Sequence, residues 1–224
     1  MSSAYFIAGT DTGVGKTLIT SALVHGFAQR GLRSVGMKPV AAGCTWQDGR
    51  LLSEDVVQLV AASNVEVDLD LINPYAFAPP IAPHIAADKA GVSIELPVIQ
   101  RACKTLKGEV DRVMVEGVGG FRVPLGAELD TADLAQALGL PVVLVVGMRL
   151  GCINHTLLTL EAIEVRGLTL AGWVANCIDP EMAVLDDNIA ALRQRIPAPC
   201  LGIVPTLGTA DFRLAATYLQ LDQL

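Results

Sequence analysis

Short apolar runs alternate with longer stretches of helical period along most of the chain. Ala4–Ala8 is a short run of this kind and predicts a buried strand. From Thr17 to Arg30, Leu18, Ile19, Ala22, Leu23 and Phe27 recur on one side, the period of an amphipathic helix that Gly31 then stops. Further strands are expected at Ser34–Met37, Arg112–Val115, Val142–Val146 and Leu170–Ala175, with a weaker one near Leu201–Val204. Helical stretches fall near Asp55–Ala62, Ser93–Lys107, Thr131–Leu138, Asn154–Arg166 and Pro180–Arg195. Strands buried on both faces and separated by helices predict a doubly wound, mostly parallel α/β sheet. Ligands of such sheets gather where strand carboxyl ends meet the following loops, and that is where chemistry is sought.

No internal repeat or linker breaks the pattern, so residues 1–224 are expected to form one domain. Asn73–His84 holds four prolines and reads as extended. Its Tyr75, Phe77 and Ile81 suggest a packed loop, and a substrate lid is the alternative.

Composition narrows the class. Apolar residues make up 52% of the chain and charged residues 17%, and the mean hydropathy is +0.49. The uncharged run Leu134–Met148 contains Gln136, Gly139, Pro141 and Gly147 and falls short of the roughly 20 apolar residues a spanning helix needs. It reads better as a helix end followed by a buried strand. A net charge of −7 with no long basic cluster argues against nucleic acid or a membrane surface as partner. Cys44, Cys103, Cys152, Cys177 and Cys200 lack the two-residue gap of a zinc or redox motif. With no leader-like segment before Tyr5, the expectation is a reduced, cytoplasmic protein.

After the first strand comes Gly9-Thr10-Asp11-Thr12-Gly13-Val14-Gly15-Lys16-Thr17, and then a helix. Glycines let backbone N–H groups turn toward phosphate and the helix N-terminus adds its dipole. Lys16 can reach the β and γ oxygens, and Thr17 offers a hydroxyl to Mg²⁺. Five residues separate Gly9 from Gly15 where four are usual, but the strand–loop–helix setting is that of a nucleotide site.

The other strand ends add chemistry. Glu116 closes Val113-Met114-Val115 and precedes Gly117-Val118-Gly119-Gly120, which suits a carboxylate holding Mg²⁺, or alternatively a solvated acid at a strand end. Asp55 opens a helix after Ser53-Glu54, where an acid can bind metal or merely complement the helix dipole. Lys38 ends the second strand before Pro39, either beside a γ-phosphate or as a lone surface lysine. Gly151-Cys152-Ile153-Asn154-His155 opens a helix whose free N–H groups suit a carboxylate, with Asn154 as an N-cap the simpler reading. The Asn176 amide can donate and accept together, matching the edge of adenine, or it can form a turn before Asp179-Pro180.

Taken together, Gly-Thr-Asp-Thr-x-Val-Gly-Lys-Thr at 9–17, Lys-Pro-Val-Ala at 38–41, Val-Glu-Gly-x-Gly-Gly at 115–120, Leu-Gly-Cys-Ile-Asn-His at 150–155 and Ala-Gly-Trp-Val-Ala-Asn at 171–176 resemble the ATP-dependent dethiobiotin synthetase family over nearly the whole chain. The resemblance implies a phosphate-loop nucleoside triphosphate hydrolase fold and a cyclo-ligase of biotin biosynthesis. Its substrates would be 7,8-diaminononanoate, CO₂ or bicarbonate, and ATP with Mg²⁺. One amine captures CO₂ as a carbamate, ATP phosphorylates it to a carbamic-phosphoric anhydride, and the second amine displaces phosphate.

By position, the resemblance makes Lys38 and Lys16 catalytic and places Thr17, Asp55 and Glu116 around Mg²⁺. It gives ATP contacts to Gly13, Val14, Gly15, Lys16, Thr17, Leu18, Asp55, Glu116, Gly117, Val118 and Gly119, and on the base side to Asn176, Cys177, Pro205, Thr206 and Leu207. Substrate contacts fall to Thr12, Lys38, Leu150, Gly151, Cys152, Ile153 and Asn154, the last five across a homodimer interface. Val118, Phe121 and Val123 are candidates for an apolar substrate lining.

The chain departs from the family pattern at Ala42, where many relatives have Ser, and at Gly13, often Glu. Pro205-Thr206-Leu207 lacks an aromatic, and the acid expected some residues later is not evident near Phe212. A phosphate-loop switch of the partition or division-site type would carry a signature lysine five residues before Lys16, where this chain has Asp11. A corrinoid-type amidation enzyme would need a glutaminase domain. A nucleotide binder without catalysis would leave Lys38 and Glu116 unexplained.

Overall fold

The computed structural model describes residues 3–224. In chain order the first half comprises β1 (Ser3–Gly9), α1 (Lys16–Gln29), β2 (Ser34–Met37), β3 (Val40–Ala42), β4 (Thr45–Gln47), β5 (Arg50–Leu52), α2 (Glu54–Ala62), α3 (Leu69–Ile72), β6 (Tyr75–Phe77), α4 (Pro83–Ala90) and α5 (Leu96–Glu109). The second half comprises β7 (Arg112–Glu116), α6 (Thr131–Leu138), β8 (Val142–Gly147), α7 (Cys152–Val165), β9 (Leu170–Asn176), α8 (Leu185–Arg195), β10 (Cys200–Val204) and α9 (Phe212–Ala216).

Six strands form one sheet in the order β10-β9-β8-β1-β7-β2, every pair parallel. The two-residue period of the strands divides the core between the two faces. Phe6, Ala8, Val113, Val115, Leu144, Val146 and Trp173 fill one side. Tyr5, Ile7, Met114, Val143, Val145 and Val174 fill the other, beneath α1. Both faces are therefore dry, which accounts for the high apolar content. Among the described residues no helix is long and apolar enough to cross a membrane.

The six expected sheet strands and α1, α2, α6 and α7 lie within two residues of where periodicity puts them. α1 is more enclosed than an amphipathic helix: Thr20, Ser21 and Val24 are buried as well as Ile19, Ala22, Leu23 and Phe27. α5 starts at Leu96, not Ser93, because Pro97 is preorganised for a first turn. α8 starts at Leu185, five residues later than Pro180, after Val184 takes a left-handed conformation.

The stretch after β2 holds structure that the hydrophobic pattern does not reveal. β3 and β6 pair in a small parallel sheet, Val40 opposite Tyr75 and Ala42 opposite Phe77, and β4 and β5 form a hairpin. Asn73–His84 is thus part strand and part helix start. Phe77 is packed as expected, but Ile81 is exposed in the bend that joins β6 to α4, whose own Pro83, Ala86 and Ala87 turn to the core.

Candidate active site

The loops after all six sheet strands open on one edge. β1 delivers the glycine loop, β2 delivers Lys38, β7 ends on Glu116, β8 leads to residues 148–154, β9 ends on Asn176, and β10 leads to Pro205.

The loop between β1 and α1 is shaped by two left-handed glycines, Gly13 (φ 74°) and Gly15 (φ 85°). A side chain on Gly15 would meet the Asn176 amide nitrogen at 2.1 Å. Glycine is therefore required there both by conformation and by a close neighbour. Gly15 caps α1 with no side chain, so the first-turn N–H groups remain free for an anion. Lys16 curls back over Gly9, its Nζ donating to the Asp11 carbonyl at 3.0 Å. Burial and the nearby Lys38 charge lower the Lys16 pKa to about 8.

Next to it lies a compact ionic knot. Lys38 Nζ donates to Glu116 Oε1 at 2.6 Å and lies 2.8 Å from Asp55 Oδ2. The Thr17 hydroxyl donates to the same Glu116 oxygen at 2.8 Å. Lys38 is 3% exposed and Glu116 1%, so neither is a surface residue. Burial alone would lower the Lys38 pKa, but the charges of Glu116 and Asp55 outweigh it and hold the ammonium above its ordinary value. Burial would likewise raise the Asp55 pKa, but Lys38 overrides it and keeps that carboxyl below the usual range. Asp55 takes its place from helix capping: Ser53 Oγ accepts the Val56 N–H at 3.2 Å and sets the first turn of α2.

These residues fit a hard divalent cation. Glu116 Oε2 is buried without a hydrogen-bond partner, and the Thr17 hydroxyl and Asp55 carboxylate supply further oxygens beside it. An all-oxygen set is the kind Mg²⁺ prefers. Among the described residues no three His, Cys, Asp or Glu side chains gather around one point. That is in keeping with a cation that draws its remaining ligands from phosphate and water.

At the end of β9, Asn176 is buried and donates one N–H to the Val14 carbonyl at 2.9 Å. This contact locks the glycine loop to the end of β9, two strands away in the sheet, and takes half of the donor capacity an adenine contact could use. Beside it, Cys177 N–H donates to the Val204 carbonyl at 2.9 Å and Thr206 Oγ1 to the Cys177 carbonyl at 2.7 Å. The loop holding Pro205, Thr206 and Leu207 is thereby drawn next to Asn176.

After β8 the chain turns at Gly151 (φ 94°), which caps α7 with no side-chain contact. Asn154 therefore lies inside the first turn and is not the N-cap, because the left-handed turn at Gly151 starts the helix earlier. Cys152 is buried, whereas Leu150 is 96% exposed and Gly151 and Asn154 face solvent. Phe121 lines a cleft of about 330 Å³ with Thr10, Arg122, His155 and Leu158, while Val118 and Val123 lie outside its wall.

Two features escape the sequence motifs. Asp11 accepts the Thr12 N–H at 2.7 Å, and its other oxygen lies 2.5 Å from Arg149. The phosphate loop is thus tied to the segment that opens α7. Asn73 donates to the Lys38 carbonyl at 2.6 Å. An acid within a glycine loop and an Asn before a proline were the only signals, and neither names a partner.

Comparison with known proteins gives the family and the fold. A family model described as an AAA domain matches residues 3–212. The ATP-dependent dethiobiotin synthetase BioD of Aromatoleum aromaticum is 57% identical over 218 residues, covering 97% of each chain. That of Nitrosospira multiformis is 55% identical over 224 residues, covering 100% of this chain and 97% of the relative. Among solved structures, the septum site-determining protein MinD of Pyrococcus horikoshii, complexed with Mg-ADP, superposes with a TM-score of 0.55 at 16% identity, covering 100% of this chain and 89% of that one. At that identity the likeness concerns the fold alone.

Proposed function

The chain belongs to the ATP-dependent dethiobiotin synthetase family, a family of carbon–nitrogen ligases of biotin biosynthesis, and on that premise we propose how its residues perform the ring closure. The observation that carries the reading is the knot of Lys38, Glu116, Asp55 and Thr17 beside the phosphate-loop Lys16.

One amine of 7,8-diaminononanoate takes up CO₂ as a carbamate. A carbamate oxygen attacks the γ-phosphorus of ATP and ADP leaves. The second amine then attacks the carbamoyl carbon, the carbon–oxygen bond to phosphate breaks, and the cyclic urea closes. Lys16 and the N–H groups from Gly13 to Thr17 and Leu18 bind the ATP phosphates, with Gly117, Val118 and Gly119 beside them. Lys38, held as an ammonium by two carboxylates, offsets the charge that develops on the transferring phosphoryl oxygens. Thr17, Asp55 and Glu116 would hold Mg²⁺, which when bound supplies charge neutralisation at the phosphates. Asn176, Cys177 and Pro205–Leu207 receive the base.

The acyl phosphate intermediate is prone to hydrolysis, so the site must exclude water and hold the amine in line. Thr12 contacts the amine end of the substrate. The uncapped turn at Leu150–Asn154 receives its carboxylate, contributed by the second copy in a homodimer. Leu150, Leu158 and Val165, all strongly exposed, support an apolar contact along α7. Five free cysteines support a reducing, cytoplasmic setting. The test is incubation of purified protein with ATP, Mg²⁺, bicarbonate and 7,8-diaminononanoate, with dethiobiotin read by mass. Light scattering under assay conditions tests the dimer, and a fully active monomer contradicts it.

A further inference from the structure

Asn73 stands outside every motif above, yet it is only 9% exposed. Its amide nitrogen donates to the carbonyl of Lys38 at 2.6 Å and to that of Tyr75 at 3.1 Å. Both partners are carbonyl oxygens, so the nitrogen must be the atom that faces them. The amide oxygen is left buried without a partner. An apolar side chain of the same size would avoid that cost, so the N–H groups account for an amide here.

The residues around Asn73 hold the same turn. Lys38 N–H donates to the Ile72 carbonyl at 2.8 Å, and Tyr75 N–H to the Pro39 carbonyl at 3.1 Å. Val40 then pairs with Tyr75. Pro39 has no N–H to steady the chain after Lys38, and Asn73 supplies a donor from outside. We infer that Asn73 is a positioning residue for Lys38: it fixes the backbone from which the ammonium reaches Glu116 and Asp55, and so sets turnover without touching the nucleotide. The inference rests on the role proposed above for Lys38.

The experiment compares wild type with Asn73→Leu, which is near-isosteric without a donor, and Asn73→Ser, which is smaller with one donor. Asn64→Leu is the control. Asn64 clamps the opposite end of β2, accepting the Ser34 N–H and donating to the Leu32 carbonyl, each at 2.9 Å. The readouts are kcat for dethiobiotin, the ATP dissociation constant and the thermal midpoint. Both Asn73 variants should lose about 10- to 100-fold in kcat while ATP affinity stays within about threefold, as expected when a reacting group is misplaced but the phosphate loop is intact. Asn64→Leu should lose stability with kcat nearly unchanged. A folded Asn73 variant with near-wild-type kcat, or one whose loss is no greater than that of Asn64→Leu, overturns the inference. Wild type that makes no dethiobiotin overturns the functional reading itself, and this inference with it.

Discussion

The ammonium of Lys38 and the carboxylate of Glu116, 78 positions apart in the chain, lie 2.6 Å from each other with both side chains almost wholly withdrawn from water. Parallel pairing of β2 with β7 sets this distance. Met37 lies opposite Val115, so the next residue on each strand emerges at the same level of the sheet edge. A pair at that depth is a commitment in stability as well as in chemistry.

Lys38→Met should abolish turnover while leaving nucleotide bound. It also strands the Glu116 charge, so unfolding stability should fall by about 3 kcal/mol, the scale for breaking one side of a buried pair. Adding Glu116→Gln should restore part of that loss. Urea unfolding of the two single variants and the double variant checks the coupling, and additive losses would refute it.

Lys16 gives a pH signature. Its pKa is depressed from 10.5 to about 8, chiefly by burial. Between those values the unfolded chain binds the proton that the folded one has lost, so this group makes stability rise with pH across that window. Nucleotide phosphates favour the ammonium form. ATP binding near pH 8 should therefore take up on the order of half a proton, and affinity should weaken above it. Calorimetry in two buffers of different ionisation heat measures that proton directly.

Gly15 and Gly13 should respond differently to alanine. At Gly15 the new carbon meets Asn176 at 2.1 Å in a left-handed backbone, whereas at Gly13 nothing lies within 4 Å. Gly13→Ala should cost about 1–2 kcal/mol of conformational strain alone. Gly15→Ala should also displace Asn176 and weaken ATP binding by about 100-fold or more, roughly 3 kcal/mol. Thermal melts and nucleotide titration of the two variants separate these effects.

Asn176→Ala removes the donor to the Val14 carbonyl. On the proposed reading, in which the same amide meets the adenine edge, preference for ATP over GTP should fall by about tenfold or more. Competition binding with the two nucleotides reads the ratio, and an unchanged ratio would limit Asn176 to bracing the loop.

The strand ends of the main sheet are readable in the sequence because strands dry on both faces are continuous apolar runs, and the residue that stops each run marks the edge. Gly9, Lys38, Glu116 and Asn176 all emerge that way. Asp55 is different: its helix is visible, but its approach to Lys38 depends on how α2 packs. β3 and β6 are three residues each, too short for a periodic signal, and their pairing comes from the partner strand rather than propensity. Of the two readings of Asn154, the N-cap fails because Gly151 caps α7, and a left-handed glycine cap carries no side-chain signature. Asn73 and Arg149 act through contacts with residues distant in the chain, Lys38 and Asp11, which no local pattern encodes.

ATP-driven insertion of one carbon into a diamine can be followed with ¹³C-labelled bicarbonate. Purified protein with ATP, Mg²⁺, 7,8-diaminononanoate and the label should yield dethiobiotin one mass unit heavier, with one ADP released per product. ATP consumption no greater than in the control without diamine, and no labelled product, would mean that the protein is not a dethiobiotin-forming ligase.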